Sequence, residues 1–468
     1  MQSGKVAHET AAGRAGFVED VRRRFVGLEN PVPFADGSRR AYVNFDNAAT
    51  TPALHAVADR VRDALEWYGS VHRGTGYKSM VSSQSYDAAR ERIAEFVGAD
   101  PSHHTVIITC STTGAINKLA RTVSRGGRER PLVICSLMEH HSNLLPWREH
   151  CRVEFAEVRS PDGGLDLDDL ERKVRRHAGE LRLVAVSGAS NVTGLMPPIK
   201  RIARLAHENG AELFVDGAQL VPHRKVDMGA ADDPERIDYL AFSGHKMYAP
   251  FGAGALIGRA SAFGEGSPET VGGGAVKLVT PDTVLWADAP AREEAGTPNM
   301  LGAVAIAEAI DVLEEIGMDR VAEHDAEIAT RIADGLRDTP GVQLYGQPTP
   351  DDHDHIGVVS FTADQLGHSL LAAALGHEWG VAVRHGCFCA HTYLMRLLEI
   401  DGDAVQTYMA QAERNDQSLF PGLVRASVGV YNTPAEVETF IEAVRALLRD
   451  GPRARYVMHA ASGEYLPS

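Results

Sequence analysis

The chain has 468 residues, room for two or three domains, or for one large domain with a smaller one attached. Hydrophobic residues make up 44% and charged residues 24%, the balance of a globular protein with a sizeable core, and a net charge of −16 argues against broad contact with nucleic acid or an anionic membrane. No apolar stretch near the start has signal-peptide character and no long apolar run points to a membrane span, while five scattered cysteines make no disulfide framework and fit a reducing cytoplasm.

Residues 1–40, with the turn-rich "NPVPFADGSRR", are expected to form an N-terminal segment packing on a smaller C-terminal domain. The pattern of "ALHAVADRVRDALEWY" predicts a helix with Leu54, Val57, Val61 and Leu65 on one face. Short β-branched runs then alternate with helical stretches. "TVIIT" (105–109), "LVIC" (132–135), "RLVAVS" (182–187), "AELFVD" (211–216) and "IDYLAF" (237–242) read as strands bounded by Gly, Ser, Pro or Asp. "PIKRIARLAHENG" reads as a helix stopped at Gly210. The alternation predicts a wound, largely parallel α/β sheet over residues 41–318, with helices on both faces. From residue 319 to 468 the pattern is that of a smaller α+β domain. "HIGVVSFT" and "GVAVRHG" read as its strands, "RVAEHDAEIATRIADGLRDT" and "PAEVETFIEAVRALLRD" as its helices. In the last of these, Thr433, Pro434 and Glu436 predict a capped helix start.

Ligands of such sheets gather at the carboxyl ends of the strands. After "TVIIT" come Ser111, Thr112 and Thr113 at a helix start, a phosphate cradle or plain N-caps. After "LVIC" comes "SLMEHHSN", whose His140 can stack on a planar ring or be an ordinary loop histidine. Asn191 follows "RLVAVS", as a ligand donor or a turn former. Asp216 ends a buried strand and needs a partner, either a protonated ring nitrogen or a helix start. After "IDYLAF" come Ser243, His245 and Lys246; a lysine held among apolar and cationic neighbours has a lowered pKa and can form an imine. Together these are the parts of a pyridoxal 5'-phosphate site. The glycines after Lys246 would let the backbone turn close to the cofactor.

The motifs "NFDNAATTP", "STTGAIN", "MEHHSN", "SNVTGLMPPI", "VDGAQ", "FSGHKMYAPFGAG", "EAGTPN" and "VRASVGVYNT" occur in the order seen in class V aminotransferase-fold enzymes. Over residues 40–445 the chain most resembles the cysteine desulfurase and selenocysteine lyase group. The resemblance implies the fold type I of pyridoxal-phosphate transferases: a large domain with a mainly parallel seven-stranded sheet, and a small domain carrying the Cys389 loop. It implies Lys246 as the imine-forming lysine, Asp216 beside the pyridine nitrogen, Gln219 beside the phenolic oxygen and His140 as the stacking ring. Thr112, Thr113, Ser243 and His245 match phosphate contacts. Asn191, Arg384 and Arg425 match groups holding the substrate carboxylate. Thr297 matches a phosphate contact made from a second subunit, so a homodimer with shared active sites is implied. No metal is.

"VRHGCFCAHTYL" sets the chemistry. Arg384, Gly386 and Cys389 fit the Arg-x-Gly-x-x-Cys pattern of desulfurases, in which L-cysteine or a related amino acid is converted to L-alanine and a persulfide is left on Cys389 for a sulfur-acceptor protein. Such a thiol is expected to be exposed, mobile and near positive charge; Arg384, His385 and His391 are close in sequence. The bland alternative is a Cys-x-Cys buried as small hydrophobes or binding a stray metal. Cys387 adds a second thiol, and the partly helical stretch between Cys389 and Arg425 is longer than the resemblance implies. A C–S lyase or epimerase on the same scaffold, or a non-catalytic cofactor-binding partner in sulfur transfer, are the competing readings.

Overall fold

The structure, a computed structural model, describes residues 11–72, 74–125, 131–346 and 355–468. A seven-stranded sheet runs in the order His104–Thr109, Gly254–Arg259, Tyr239–Ser243, Glu212–Asp216, Leu181–Ser187, Leu132–Ser136, Arg152–Ala156. Gly254–Arg259 is antiparallel to both its neighbours; the other recorded pairings are parallel. Every residue of Leu132–Ser136, Glu212–Asp216 and Tyr239–Ser243 is buried, as strands covered on both faces must be. This is why their sequences are continuous apolar runs.

Two strands lie outside the five apolar runs. Arg152–Ala156 is an edge strand with an exposed or half-buried start. Gly254–Arg259 opens on the glycines that follow Lys246. Those glycines do bring backbones together, though as a strand rather than a loop. A Cβ on Gly254 would meet Phe242 O at 2.6 Å and Ser111 Cα at 3.0 Å. The register sets Gly254 opposite both Thr109 and Ser243, so the strand ends leading into the Ser111 and Gly244 loops lie at one level.

The helix His55–Glu66 packs on Met300–Ile316, as does Tyr77–Phe96. Its buried stripe runs through Val57, Val61 and Ala64. Leu65, expected on that face, falls on its flank and is 54% exposed. The helix Ile199–Glu208 ends just before Gly210, whose φ of 77° is the left-handed conformation glycine adopts without a Cβ penalty.

A second sheet, all antiparallel, has the order Val342–Tyr345, Val358–Ala363, Leu423–Ser427, Arg384–Gly386. With the helices Met318–Arg337 and Pro434–Asp450 it encloses its own core around Ile328, Ile332, Phe361, Val424 and Phe440. Pro434–Asp450 starts with a complete capping box between Thr433 and Glu436. The N-terminal segment touches both units: Val21 and Phe25 join the core of the large sheet, while Ala35 N–H donates to His377 O at 2.8 Å. Asp46–Thr51 then crosses the gap between the units, and the site lies beneath it.

Candidate active site

The strand register aligns Ser187, Asp216 and Ala241 side by side, so the loops that follow emerge along one edge of the sheet. They line a cavity of about 280 Å³ together with residues of the second unit. Of the expected site residues, Thr112, Thr113, His140, Asn191, Asp216, Gln219, Ser243, His245, Lys246, Arg384, Cys389 and Arg425 all face it. Thr297 does not; it is exposed on the surface of the same chain.

At one end, Ser111 caps the helix Thr112–Val123 by accepting from Gly114 N–H. The Thr112 N–H donates to Ser243 Oγ at 2.7 Å, and the Thr112 and Ser243 hydroxyls are also 2.7 Å apart. Thr113 Oγ1 lies 2.7 Å from Ser142 Oγ. His245 Nδ1 is 3.3 Å from Thr50 Oγ1. Hydroxyls clustered at the positive end of a helix dipole make an anion cradle.

In the middle, Asp216 is 5% exposed and accepts one hydrogen bond, from Ala218 N–H to Oδ1 at 3.0 Å. Its Oδ2 has no partner among the described residues. Burial raises its pKa. Gln219 donates through Nε2 to Ala48 O at 2.7 Å. His140 accepts from Ser142 N–H at Nδ1, which leaves its proton on Nε2. Burial and the nearby Lys246 push its pKa down to about 4, so the ring is neutral at pH 7. The Lys246 amine is pushed down to about 8 by burial, with Asp216 opposing and Arg425 assisting. A share of it is therefore neutral near physiological pH.

At the other end, Arg384 and Arg425 sit directly opposite one another on neighbouring strands. Two like charges in register repel unless something anionic lies between them. Asp46 does part of this: its carboxylate is 3.1 Å from Arg425 Nη2 and 3.7 Å from Arg384 Nη1. Arg425 also donates to Asn191 O at 2.9 Å and lies over the Phe388 ring, 4.7 Å from its centre. It is 3% exposed, and its Nε has no partner among the described residues. A carboxylate entering here would meet a surplus of positive charge.

Cys389 is exposed, lines the same cavity and is close enough to Lys246 to affect its charge. Cys387 differs. It is half-buried, packs against the main core and has a pKa raised by burial. The two thiols thus differ in setting, one open to the cavity and one packed against the core. The turn that bears Cys389 is hydrogen-bonded at successive residues, so the thiol is exposed but held.

Residues 43–440 match the family model of class-V aminotransferases, most of the chain. The chain belongs to this family. It is 34% identical over 423 residues to a cysteine desulfurase of Haloferax volcanii, covering 88% of this chain and 90% of that one. Among solved structures it resembles the apo cysteine desulfurase of Thermococcus onnurineus NA1, with a TM-score of 0.76 and 31% identity over 87% of this chain and 95% of that one. It also resembles the cysteine desulfurase CsdA of Escherichia coli in its S-sulfonic acid form, at 0.75 and 28%, over 92% and 98%. The chain thus has fold type I and is a member of a pyridoxal-phosphate enzyme family.

Some residues in or beside the cavity give little sign of their contacts in sequence. Asp46 orders both arginines from a segment far upstream. Ser142 joins the His140 loop to Thr113 at the helix start, and Phe388 packs beneath Arg425. Each lies inside a quoted motif, Asp46 in "NFDNAATTP", Ser142 in "MEHHSN" and Phe388 in "VRHGCFC", but nothing in those motifs shows which side chain each one meets. Among the described residues no three His, Cys, Asp or Glu side chains gather as a metal site, and no helix is long and apolar enough to cross a membrane.

Proposed function

We propose that the chain is a pyridoxal-5'-phosphate-dependent cysteine desulfurase that transfers the sulfur of L-cysteine to Cys389 and releases L-alanine. The observation that carries this reading is the meeting of Cys389, Lys246 and the Arg384–Arg425 pair in one cavity.

The residues present fit the cofactor. The buried Asp216 carboxylate with an unpartnered oxygen suits a protonated ring nitrogen. The hydroxyls of Thr112, Thr113 and Ser243, with His245, suit a phosphate. The neutral His140 ring suits stacking, and the free amide oxygen of Gln219 side chain and Asn191 complete the polar lining. When bound through Lys246, the cofactor supplies an electron sink for charge developing at the substrate α-carbon.

The chain's own groups do the rest. Arg384 and Arg425 hold the substrate carboxylate, which fixes the side chain of the amino acid toward Cys389. Lys246 Nζ takes the α-proton and later returns one. His140 Nε2 offers its proton inside the cavity. The Cys389 thiolate bonds to the substrate sulfur as the Cβ–S bond breaks and Cβ gains a proton. One cysteine and one enzyme thiol become one alanine and one enzyme persulfide. An exposed Cys389 lets a sulfur acceptor, protein or small thiol, collect the sulfur from solvent.

We read Thr297 as serving the cavity of a second subunit, in a homodimer with shared sites. It is exposed, and so are Leu278, Val279, Val284 and Leu285 of the nearby hairpin Val276–Trp286, an apolar surface suited to burial against another copy. Five free cysteines fit a cytoplasmic setting.

Product analysis tests the reading. With L-cysteine and a reductant, the wild type yields alanine and sulfide, and Cys389→Ser yields neither above about one hundredth of that rate. Pyruvate and ammonia from the Ser variant at the wild-type rate of turnover would assign a C–S lyase instead.

A further inference from the structure

Two non-glycine residues of the thiol-bearing turn, Phe388 and Cys389, have left-handed backbones, with φ of 52° and 55°. L-residues resist this conformation unless the surroundings impose it. Here the surroundings do so three times. Phe388 O accepts from Asn191 Nδ2 at 2.7 Å. Cys389 O accepts from His141 N–H at 2.7 Å. His391 meets His141 twice, through its backbone N–H at 3.3 Å and its ring Nδ1 at 3.1 Å, both to His141 Nε2.

The tautomers follow. A backbone N–H can only donate, so His141 Nε2 carries a lone pair and the proton between the rings sits on His391 Nδ1. The ring planes are nearly parallel, 14° apart, with centres 4.9 Å apart, which lets the in-plane N–H of one ring meet the in-plane lone pair of the other. Burial lowers the pKa of both, and His391 further lowers that of His141. The neutral form that the contact requires is the one the site favours. His141 is followed by Ser142, which reaches Thr113 of the phosphate cradle, and preceded by the stacking residue His140.

We infer that His391 is a positioning residue. Its ring hydrogen bond to His141 latches the Cys389 turn to the loop that carries His140, so the sulfur-accepting thiol and the cofactor loop keep one geometry. Neither imidazole of the latch touches reacting atoms. The kinetic consequence rests on the desulfurase reading; the latch itself does not. Asparagine at 391 can place its amide nitrogen close to where His Nδ1 lies, whereas alanine cannot.

The experiment compares holoenzyme of wild type, His391→Ala and His391→Asn by amide hydrogen exchange of the peptide spanning 386–397, by steady-state kinetics and by the absorbance of the bound cofactor. For His391→Ala we expect exchange of that peptide to rise about fivefold or more and kcat for alanine formation to fall about tenfold, as loss of one hydrogen bond and a misplaced nucleophile imply. KM for L-cysteine and the cofactor absorbance stay as in wild type. His391→Asn restores both exchange and kcat to within about twofold. Should His391→Ala fail to fold, His141→Ala is read in the same way. Exchange and kcat unchanged in the alanine variant overturn the inference, and so does faster exchange with unchanged kcat. A wild type that makes no alanine from cysteine defeats the desulfurase reading, while the exchange data still decide whether the latch exists.

Discussion

Arg384 and Arg425 show how two residues of one type divide a task. Arg425 is buried and tied to Asn191 O, Asp46 and the Phe388 ring, so replacing it would disturb packing as well as binding. Arg384 has a side chain 59% exposed with one long contact to Asp46. Arg384→Ala is therefore the cleaner probe. We expect KM for L-cysteine to rise about tenfold, the low end for a hydrogen bond to a charged group. The thermal midpoint should hold within about 2 °C, since an exposed ion pair contributes little to stability. A fall in kcat at unchanged KM would remove Arg384 from carboxylate binding. Asp216→Asn tests the middle of the cavity: the amide cannot carry the charge that a protonated ring nitrogen requires, and we expect kcat to drop by about a hundredfold. Much of this site could be read from sequence, because each group stands at a strand end beside a short motif. Asp46 and Phe388 could not be, since their contacts arise only on folding: Asp46 meets Arg425 across 379 residues, and Phe388 meets Asn191 across 197.

Elements were legible where burial on both faces forces an unbroken apolar run. The five runs ending near Thr109, Cys135, Ser187, Asp216 and Phe242 correspond to strands of the large sheet. Arg152–Ala156 was not legible, because an edge strand tolerates charge. Gly254–Arg259 was not, because glycine is a poor strand former and its presence there answers a steric demand. That demand gives a prediction. In Gly254→Ala the new methyl would meet Phe242 O at 2.6 Å and the Ser111 backbone at 3.0 Å. Backbone cannot give way as a side-chain tip can, so the Ser111–Thr113 loop must shift. We expect about 1–3 kcal/mol of destabilisation, typical of overpacking, together with weaker retention of the cofactor on dialysis. Gly264→Ala, with nothing within 4 Å of the added carbon, should be neutral in both assays. Equal behaviour of the two variants would show that close approach at Gly254 does not shape the cradle.

For the whole molecule, the balance of buried histidines and carboxyls sets the response to acid. Among the described residues eight histidines have lowered pKa values, namely His104, His140, His141, His245, His324, His368, His385 and His391, with His140 and His385 near 4. Unfolded, each takes a proton near pH 6.5, so between about 6.5 and 4 the unfolded state binds more protons and stability falls as the pH is lowered, by on the order of 1 kcal/mol per pH unit for each fully shifted group. Raised carboxyls act in the opposite sense, but there are only three, Glu139 at about 7, Asp216 and Glu308. The histidines win, and urea midpoints should decline from pH 6.5 to 4.5; a flat profile would contradict the burial of these rings. The assembly is tested by mixing two damaged chains. Lys246→Ala removes the amine from a subunit's own cavity. Thr297→Ala removes a group we assign to the neighbour's cavity. If Thr297 acts across the interface, a hybrid dimer has one cavity with both residues intact and one with neither. Random reassortment makes half the dimers hybrid, so the mixture should recover about a quarter of wild-type activity, above the sum of the two parents. If Thr297 served its own subunit, every cavity in the mixture would carry one lesion and mixing would add nothing. Activity at the parental sum, with exchange of subunits verified by differently tagged chains, would place Thr297 outside any shared site.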